Sequence, residues 1–253
     1  MTIPKLCVDG VSKAYEVDGR LLQILQGVDL AVWPREFVTV LGPSASGKST
    51  LFNIIVGLEE PDEGAIYLNG EMVEKRTGGV AYMPQKDLLL PWRTVLGNVI
   101  LGPEIAGIAQ EEATRRAQEL MPLFGLGGFE NSYPSALSGG MRQRTALLRT
   151  ILFQKDILLL DEPFGALDAL TRMELQEWLL EVWEQFKHTI IFITHDVDEA
   201  IFLSDRVYVM TPRPGRVRDV VAVELNRPRE RAMENAPEFV RLRGRLLSTL
   251  RGE

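Results

Sequence analysis

Cysteine is almost missing from this chain. Cys7 stands alone, which excludes an internal disulfide and suits a reducing cytoplasm; its apolar, strand-like surroundings make it a packing residue. Histidine is nearly as scarce, with only His188 and His195. No run of 18 apolar residues occurs, so nothing in the sequence is built to span a bilayer, and residues 1–10 lack the pattern of a secretory leader. Excess positive charge is missing too. The net charge of −7 argues against nucleic acid as the main partner. Internal repeats and low-complexity segments are also absent.

What is present is ordinary globular material, 45% hydrophobic and 25% charged over 253 residues, enough for one large or two closely joined domains. Residues 1–35 and 62–70 read as strands and turns forming a β-layer. Residues 36–61, 71–85 and 156–211 alternate strand and helix, the pattern of a parallel α/β core. Residues 88–152 read as a mostly helical insert, running from Val95 through the Glu111–Arg116 segment.

Within that frame, Gly42-Pro43-Ser44-Ala45-Ser46-Gly47-Lys48-Ser49 is a complete GxxxxGK[ST] loop. It follows the apolar run Glu36–Leu41, a buried strand, and precedes Lys48–Val56, a helix, which is the context the motif requires. Gly42 and Gly47 let the backbone curl so that its N–H groups face phosphate oxygens. The helix N-terminus, carrying Ser49 and Thr50, adds positive potential at the same spot. Lys48 would reach the β- and γ-phosphates and the Ser49 hydroxyl would ligate Mg²⁺.

Further along, Ile157-Leu158-Leu159-Leu160 reads as a strand buried on both faces that delivers Asp161 and Glu162 at its carboxyl end. Asp161 is the candidate magnesium partner and Glu162 the candidate general base for an attacking water. A third strand, Ile190–Thr194, ends in His195. Between these lies Leu137-Ser138-Gly139-Gly140-Met141-Arg142-Gln143, read as opening a helix from Met141 to Leu152. The Ser138 hydroxyl with the Gly139 and Gly140 N–H groups would make an anion site there.

Taken in order, the phosphate loop, the Ser-Gly-Gly element, Asp161-Glu162 and His195 resemble the ATP-binding-cassette (ABC) ATPases, and the resemblance covers nearly the whole chain. It implies an α/β fold: a phosphate-loop NTPase parallel sheet with an antiparallel β-layer and an inserted helical subdomain. Residues 1–87 and 153–211 would be the nucleotide-binding core, 88–152 the helical subdomain, and 212–253 a terminal strand and amphipathic helix. The same resemblance makes His195 a γ-phosphate contact. It makes Gln85 a residue sensing Mg²⁺ and water at the subdomain junction. Asp168 of Ala166-Leu167-Asp168 falls in the loop crossing a dimer interface, and Tyr15, 27 residues before Gly42, is a ring against adenine. His188, at the polar start of its strand, is expected to carry no function.

ABC ATPases act as head-to-tail dimers, so each ATP would lie between one subunit's phosphate loop and the other's Ser138 element. The dimer could be a homodimer or a heterodimer with a similar ATPase. DNA-repair relatives insert a long coiled coil between these elements. Here only about 90 residues separate Gly47 from Ser138, without sustained heptads. Translation-linked relatives carry two cassettes, and this chain carries one. Leu88-Leu89-Leu90-Pro91-Trp92, with Thr94-Val95, Asn98-Val99 and Ala166–Arg172, looks like the importer branch for nitrate, sulfonate, taurine and bicarbonate, or for thiamine precursors. An exposed Trp92 beside Gln85 would offer a groove to a permease helix. The implied place is peripheral, on the cytoplasmic face of the membrane, with a solute-binding protein feeding the permease. A soluble ATPase switch and an exporter or lipid-transport ATPase are the alternatives.

The last 42 residues are rich in arginine, including Arg213, Arg216, Arg218, Arg227, Arg229 and Arg231. Phe239, Leu242, Leu246 and Leu250 recur at helical spacing, so a terminal amphipathic helix is expected. The arginines are expected to form a solvated face.

Overall fold

The computed structural model describes residues 3–252. Leu6–Val17 (β1) and Arg20–Val32 (β2) form a hairpin through Asp18-Gly19, both at positive φ (51° and 72°). An Asp-Gly pair accepts that conformation, and the resulting turn matches the natural twist of the strands. Phe37–Leu41 (β3) follows, buried at every position. Lys48–Val56 (α1) then runs to Gly57, whose left-handed backbone lets its N–H cap the Asn53 and Ile54 carbonyls. Glu63–Leu68 (β4) and Glu71–Met72 (β5) complete an antiparallel sheet in the order β2-β1-β4-β5.

The second sheet is the larger. Ala81–Met83 (β6), Ile157–Asp161 (β7), Thr189–Thr194 (β8) and Arg206–Met210 (β9) join β3 in parallel, and Val217–Ala222 (β10) closes the edge antiparallel to β9. The order β10-β9-β3-β8-β7-β6 brings the carboxyl ends of β3, β7 and β8 side by side. That edge is where ligands bind in open α/β sheets. Beyond its polar first turn helix α1 is largely apolar because it sits between the two sheets, with Leu51, Phe52 and Ile55 in one core with residues of both.

The insert holds Val95–Val99 (α2), Leu101–Ile105 (α3), Gln110–Leu120 (α4) and Gly139–Ile151 (α5). It is less helical than expected. From Met121 to Ser138 only the single turn Pro134–Ala136 is regular, because Pro122, Gly125 and Gly128 interrupt the chain, the two glycines at positive φ. Phe124, Leu126 and Leu137 are buried all the same, in the core that also holds Met83 and Leu160 of the sheet. Helix α5 begins two residues earlier than expected, since Ser138 caps it and both glycines fall in the first turn.

Ala169–Phe186 (α6) and Val197–Leu203 (α7) cover the same face of the sheet, and Pro237–Arg251 (α8) packs Phe239, Leu242 and Leu246 against it. Three arginines depart from the expected solvated face. Arg229, its side chain 1% exposed, donates to the carbonyls of Ile201, Phe202 and Ser204 at 2.8–3.0 Å, closing the unpaired end of α7. Arg227 pairs with Asp205 at 2.8 Å and lies over the Trp183 ring. Arg231 lies over Phe202 and bonds Gln176 and Glu177. Carbonyls and rings already present in the fold claim these cations, and sequence spacing does not reveal them. His188 stacks on Phe186 at the start of β8. Among the described residues no helix is long and apolar enough to cross a membrane.

Candidate nucleotide site

The loop between β3 and α1 surrounds an open cavity of about 360 Å³ lined by Ser44 to Thr50 together with Ile24, Gln85, Glu162 and Arg213. Its curl is made by Ala45 and Gly47, at φ 64° and 90°. At φ 90° Gly47 has a backbone that other residues enter only with strain, and a Cβ there would also crowd Leu25 Cδ2 at 2.6 Å and the Ile24 carbonyl at 3.2 Å. A Cβ on Gly42 would meet Ser46 Oγ at 3.0 Å and Met210 Cβ at 3.1 Å. Gly42 and Pro43 lie beneath the cavity floor, and their carbonyls accept from Lys48 Nζ at 2.8 and 3.0 Å. Burial pulls the Lys48 ammonium pKa down, against the opposing pull of Glu162 and Asp161.

Glu162 is the hub of the opposite wall. Its carboxylate lies 3.9 Å from Lys48 Nζ, 3.4 Å from His195 Nδ1 and 3.3 Å from Gln85 Nε2. The strand β7 delivers it but ends there: Glu162 has a left-handed backbone, φ 43°, held by its N–H to the Ile193 carbonyl at 3.1 Å. The turn swings the side chain off the sheet axis toward the phosphate loop. His195 is half exposed at the end of β8, free to meet a ligand.

Asp161, one residue earlier, is buried and accepts from the Tyr82 hydroxyl at 3.5 Å, with Ser49 close by. Burial pushes its carboxyl pKa up, opposed chiefly by Ser49. Its Oδ1 has no hydrogen-bond partner among the described residues, an orphaned acceptor of the kind a cation satisfies.

Ser138, Gly139 and Gly140 lie outside this cavity. The Ser138 hydroxyl accepts from the Met141 N–H at 3.3 Å as the cap of α5. A Cβ on Gly139 would come within 3.2 Å of Leu167 Cδ2, and one on Gly140 within 3.1 Å of Thr171 Cγ2. The paired glycines thus let the Ser138 turn pack closely against the Asp168 loop. Asp168 itself caps α6, accepting from the Thr171 N–H at 3.1 Å.

The Tyr15 hydroxyl donates to the Glu59 carboxylate just past the end of α1, and Thr50 of the cavity wall is close by. Burial and the Glu59 carboxylate push the phenol up to about 12, so it stays a neutral donor. Ile24, which the sequence does not single out, adds apolar wall to the cavity. Arg213 was read only as part of a basic tail, and the signal that could have found it is the Arg-Pro-Gly turn at 213–215. Missed too was Arg149 of α5, which donates to the carbonyl of Leu88 at 2.9 Å and to that of Asp87, tying the segment after Gln85 to the Ser138 helix. Beyond that tie, Trp92 is 72% exposed, as expected for a docking surface.

Comparison with known proteins agrees with this geometry. The sequence profile described as ABC transporter matches residues 25–165. The aliphatic sulfonates import ATP-binding protein SsuB of Bacillus cereus is 43% identical over 232 residues, covering 92% of this chain and 91% of the relative. The taurine import ATP-binding protein TauB of Rhizobium johnstonii is 43% identical over 239 residues, covering 92% and 90%. Among solved structures, a dimeric ATP-binding cassette in a post-hydrolysis state, bound to ADP and Pi, superposes with a TM-score of 0.76 at 30% identity, covering 87% of this chain and all of the other. A phosphate loop facing Glu162, with a glycine-paired helix start set apart from it, is thus the site of an ATPase, and this chain belongs to the ABC transporter family.

Proposed function

We propose that the chain is one of two ATPase subunits of an importer, closing with a second cassette, identical or similar, around two ATP molecules to drive a membrane permease. The observation that carries this reading is the split site. One chain offers two phosphate-seeking elements, the loop around Lys48 and the capped turn at Ser138, yet only the first lines the cavity. A two-fold arrangement lets the Ser138 turn of each subunit cover the other's cavity, with the adjoining Asp168 loop at the seam.

Within the cavity Lys48 holds the β- and γ-phosphates. Glu162 takes a proton from the attacking water, while Gln85 and His195, both against its carboxylate, fix the water and the γ-phosphate. Mg²⁺ fits beside Ser49 and the orphaned Asp161 Oδ1, a donor set small enough to leave room for phosphate and water ligands. Bound there it would neutralise phosphate charge. Separation of ADP and phosphate would then reopen the dimer.

The names of the relatives support a small sulfonate or taurine-like solute, brought by a solute-binding protein. The subunit would sit on the cytoplasmic face of the membrane, and the exposed Trp92 next to the segment tied to Gln85 is the surface offered to the permease. Trp92→Ala tests this. The isolated variant should fold and bind ATP as the parent does, but should no longer co-purify with the permease from detergent extracts, and should lose uptake of labelled taurine or alkanesulfonate. Intact assembly would move the docking surface elsewhere. A parent that never co-purifies with a multi-span protein would favour a switch acting on a non-membrane partner.

A further inference from the structure

The turn between β9 and β10, Thr211 to Arg216, does more than reverse the chain. Gly215 is pressed against the phosphate loop so closely that a Cβ there would lie 2.0 Å from the Ser46 carbonyl oxygen and 2.9 Å from Met210 Cε. Its N–H donates to the Ile24 carbonyl at 2.8 Å, and its own carbonyl accepts from the Gln26 N–H at 3.0 Å. The turn is braced internally as well. The Thr211 hydroxyl donates to the Pro214 carbonyl at 2.9 Å and accepts from the Arg216 N–H at 3.0 Å. A glycine with no room for a side chain and hydrogen bonds to β2 fix this turn to the nucleotide cavity.

Two residues from Gly215, Arg213 joins the cavity lining. Its neighbours in sequence are engaged elsewhere: Arg216 with Gln26, Arg218 with the Thr249 carbonyl. Arg213 is exposed and makes no hydrogen bond or ion pair with another of the described residues. Lys48 is the only other cation in the lining, and it is held low by its loop carbonyls. An uncommitted guanidinium held over a polyphosphate loop has one obvious counterion.

The position along the nucleotide follows from the rest of the wall. Glu162, Gln85 and His195 mark the γ-phosphate end, around Lys48. Arg213 comes in on the other side, where the turn is anchored to Ile24 and Ile24 abuts Gly47. We infer that Arg213 is a nucleotide-binding residue, its guanidinium contacting the α-phosphate and ribose end that ATP and ADP share. The inference rests on the cavity being the ATP site and adds to that reading a contact outside the phosphate-loop motif.

Purified full-length parent, Arg213→Ala, Arg213→Lys and Lys48→Ala would be titrated with Mg-ATP and Mg-ADP at dilutions where the protein is monomeric, with a thermal melt of each variant. Arg213→Ala should melt like the parent and bind both nucleotides more weakly by a similar factor, roughly tenfold for one charged hydrogen bond open to solvent. Arg213→Lys should recover part of the loss, and should serve as the test if the alanine variant fails to fold. Unchanged affinities for both nucleotides, alongside weakened binding by Lys48→Ala, would overturn the role of Arg213 and leave the ATP site standing. A loss confined to ATP would overturn it as well, by moving the residue to the γ-phosphate. Normal binding by Lys48→Ala would instead remove the ATP-site reading beneath it.

Discussion

Glu199 is a carboxylate with almost no access to water. It is 6% exposed on α7, four residues after His195, and accepts from Gln176 Nε2 at 2.7 Å. Burial pushes its carboxyl up from 4.5 to about 7, against the opposing pull of Thr194, Gln176 and Arg172. Because the folded value lies above the unfolded one, the native state holds a proton that the unfolded chain has released between these limits. Stability must therefore fall as pH rises through this window, and above pH 7 the penalty is complete. At about 1.4 kcal/mol per pKa unit, the full penalty is about 3 kcal/mol. Glu199→Gln keeps the shape and the Gln176 bond but cannot ionise. At pH 8 it should be more stable than the parent by about 3 kcal/mol at most, a rise in Tm of roughly 6–10 °C for a chain of this size. At pH 5 the gap should shrink below about 1 kcal/mol, since most of the window between the two pKa values lies above that pH. Urea or thermal melts of both proteins at the two pH values decide the matter. A variant less stable than the parent at pH 8 would mean that Glu199 is ionised and held by Arg172, and the desolvation argument would be wrong.

Two further outcomes concern the nucleotide. Lys48→Ala deletes the buried cation facing the β- and γ-phosphates, so tight Mg-ATP binding should vanish in a calorimetric titration while the fold persists. Glu162→Gln removes the proton acceptor and should slow hydrolysis by roughly 10²- to 10⁴-fold. It also lifts a negative charge from each γ-phosphate, so ATP, and not ADP, should shift the variant from monomer to dimer on a sizing column. Adding Ser138→Glu should abolish that shift, and a Glu162→Gln protein that stays monomeric with ATP at high concentration would refute the split site.

The nucleotide machinery was legible because each part is a local backbone solution. The helix α1 begins at Lys48 and ends at Val56 as read, since Gly47 and Gly57 punctuate it with positive φ. The strands β3, β7 and β8 were legible because short, mostly apolar runs, four in a row in β7 and β8 and four of five in β3, have few other fates in a parallel sheet. What could not be read was decided by distant partners. Arg229 looks like its neighbours in sequence, and only the open end of α7 tells it apart. The bond from the Tyr15 hydroxyl to Glu59 joins positions 44 apart in the chain, and no local pattern announces it. Gly139-Gly140 suggested an anion site alone, and the close packing of Leu167 and Thr171 against them is invisible without the fold.

The backbone at Glu162 has a cost that a stability assay would see from the opposite side to an activity assay. A glutamate at φ 43° occupies a region that non-glycine residues enter at about 1 kcal/mol or more. Glycine would adopt it freely, and a β-branched residue would resist it most. Selection for heat resistance alone would thus favour glycine at this position and yield a sturdier protein that no longer hydrolyses ATP. Any effort to harden the cassette by ranking variants on melting temperature therefore has to hold position 162 fixed.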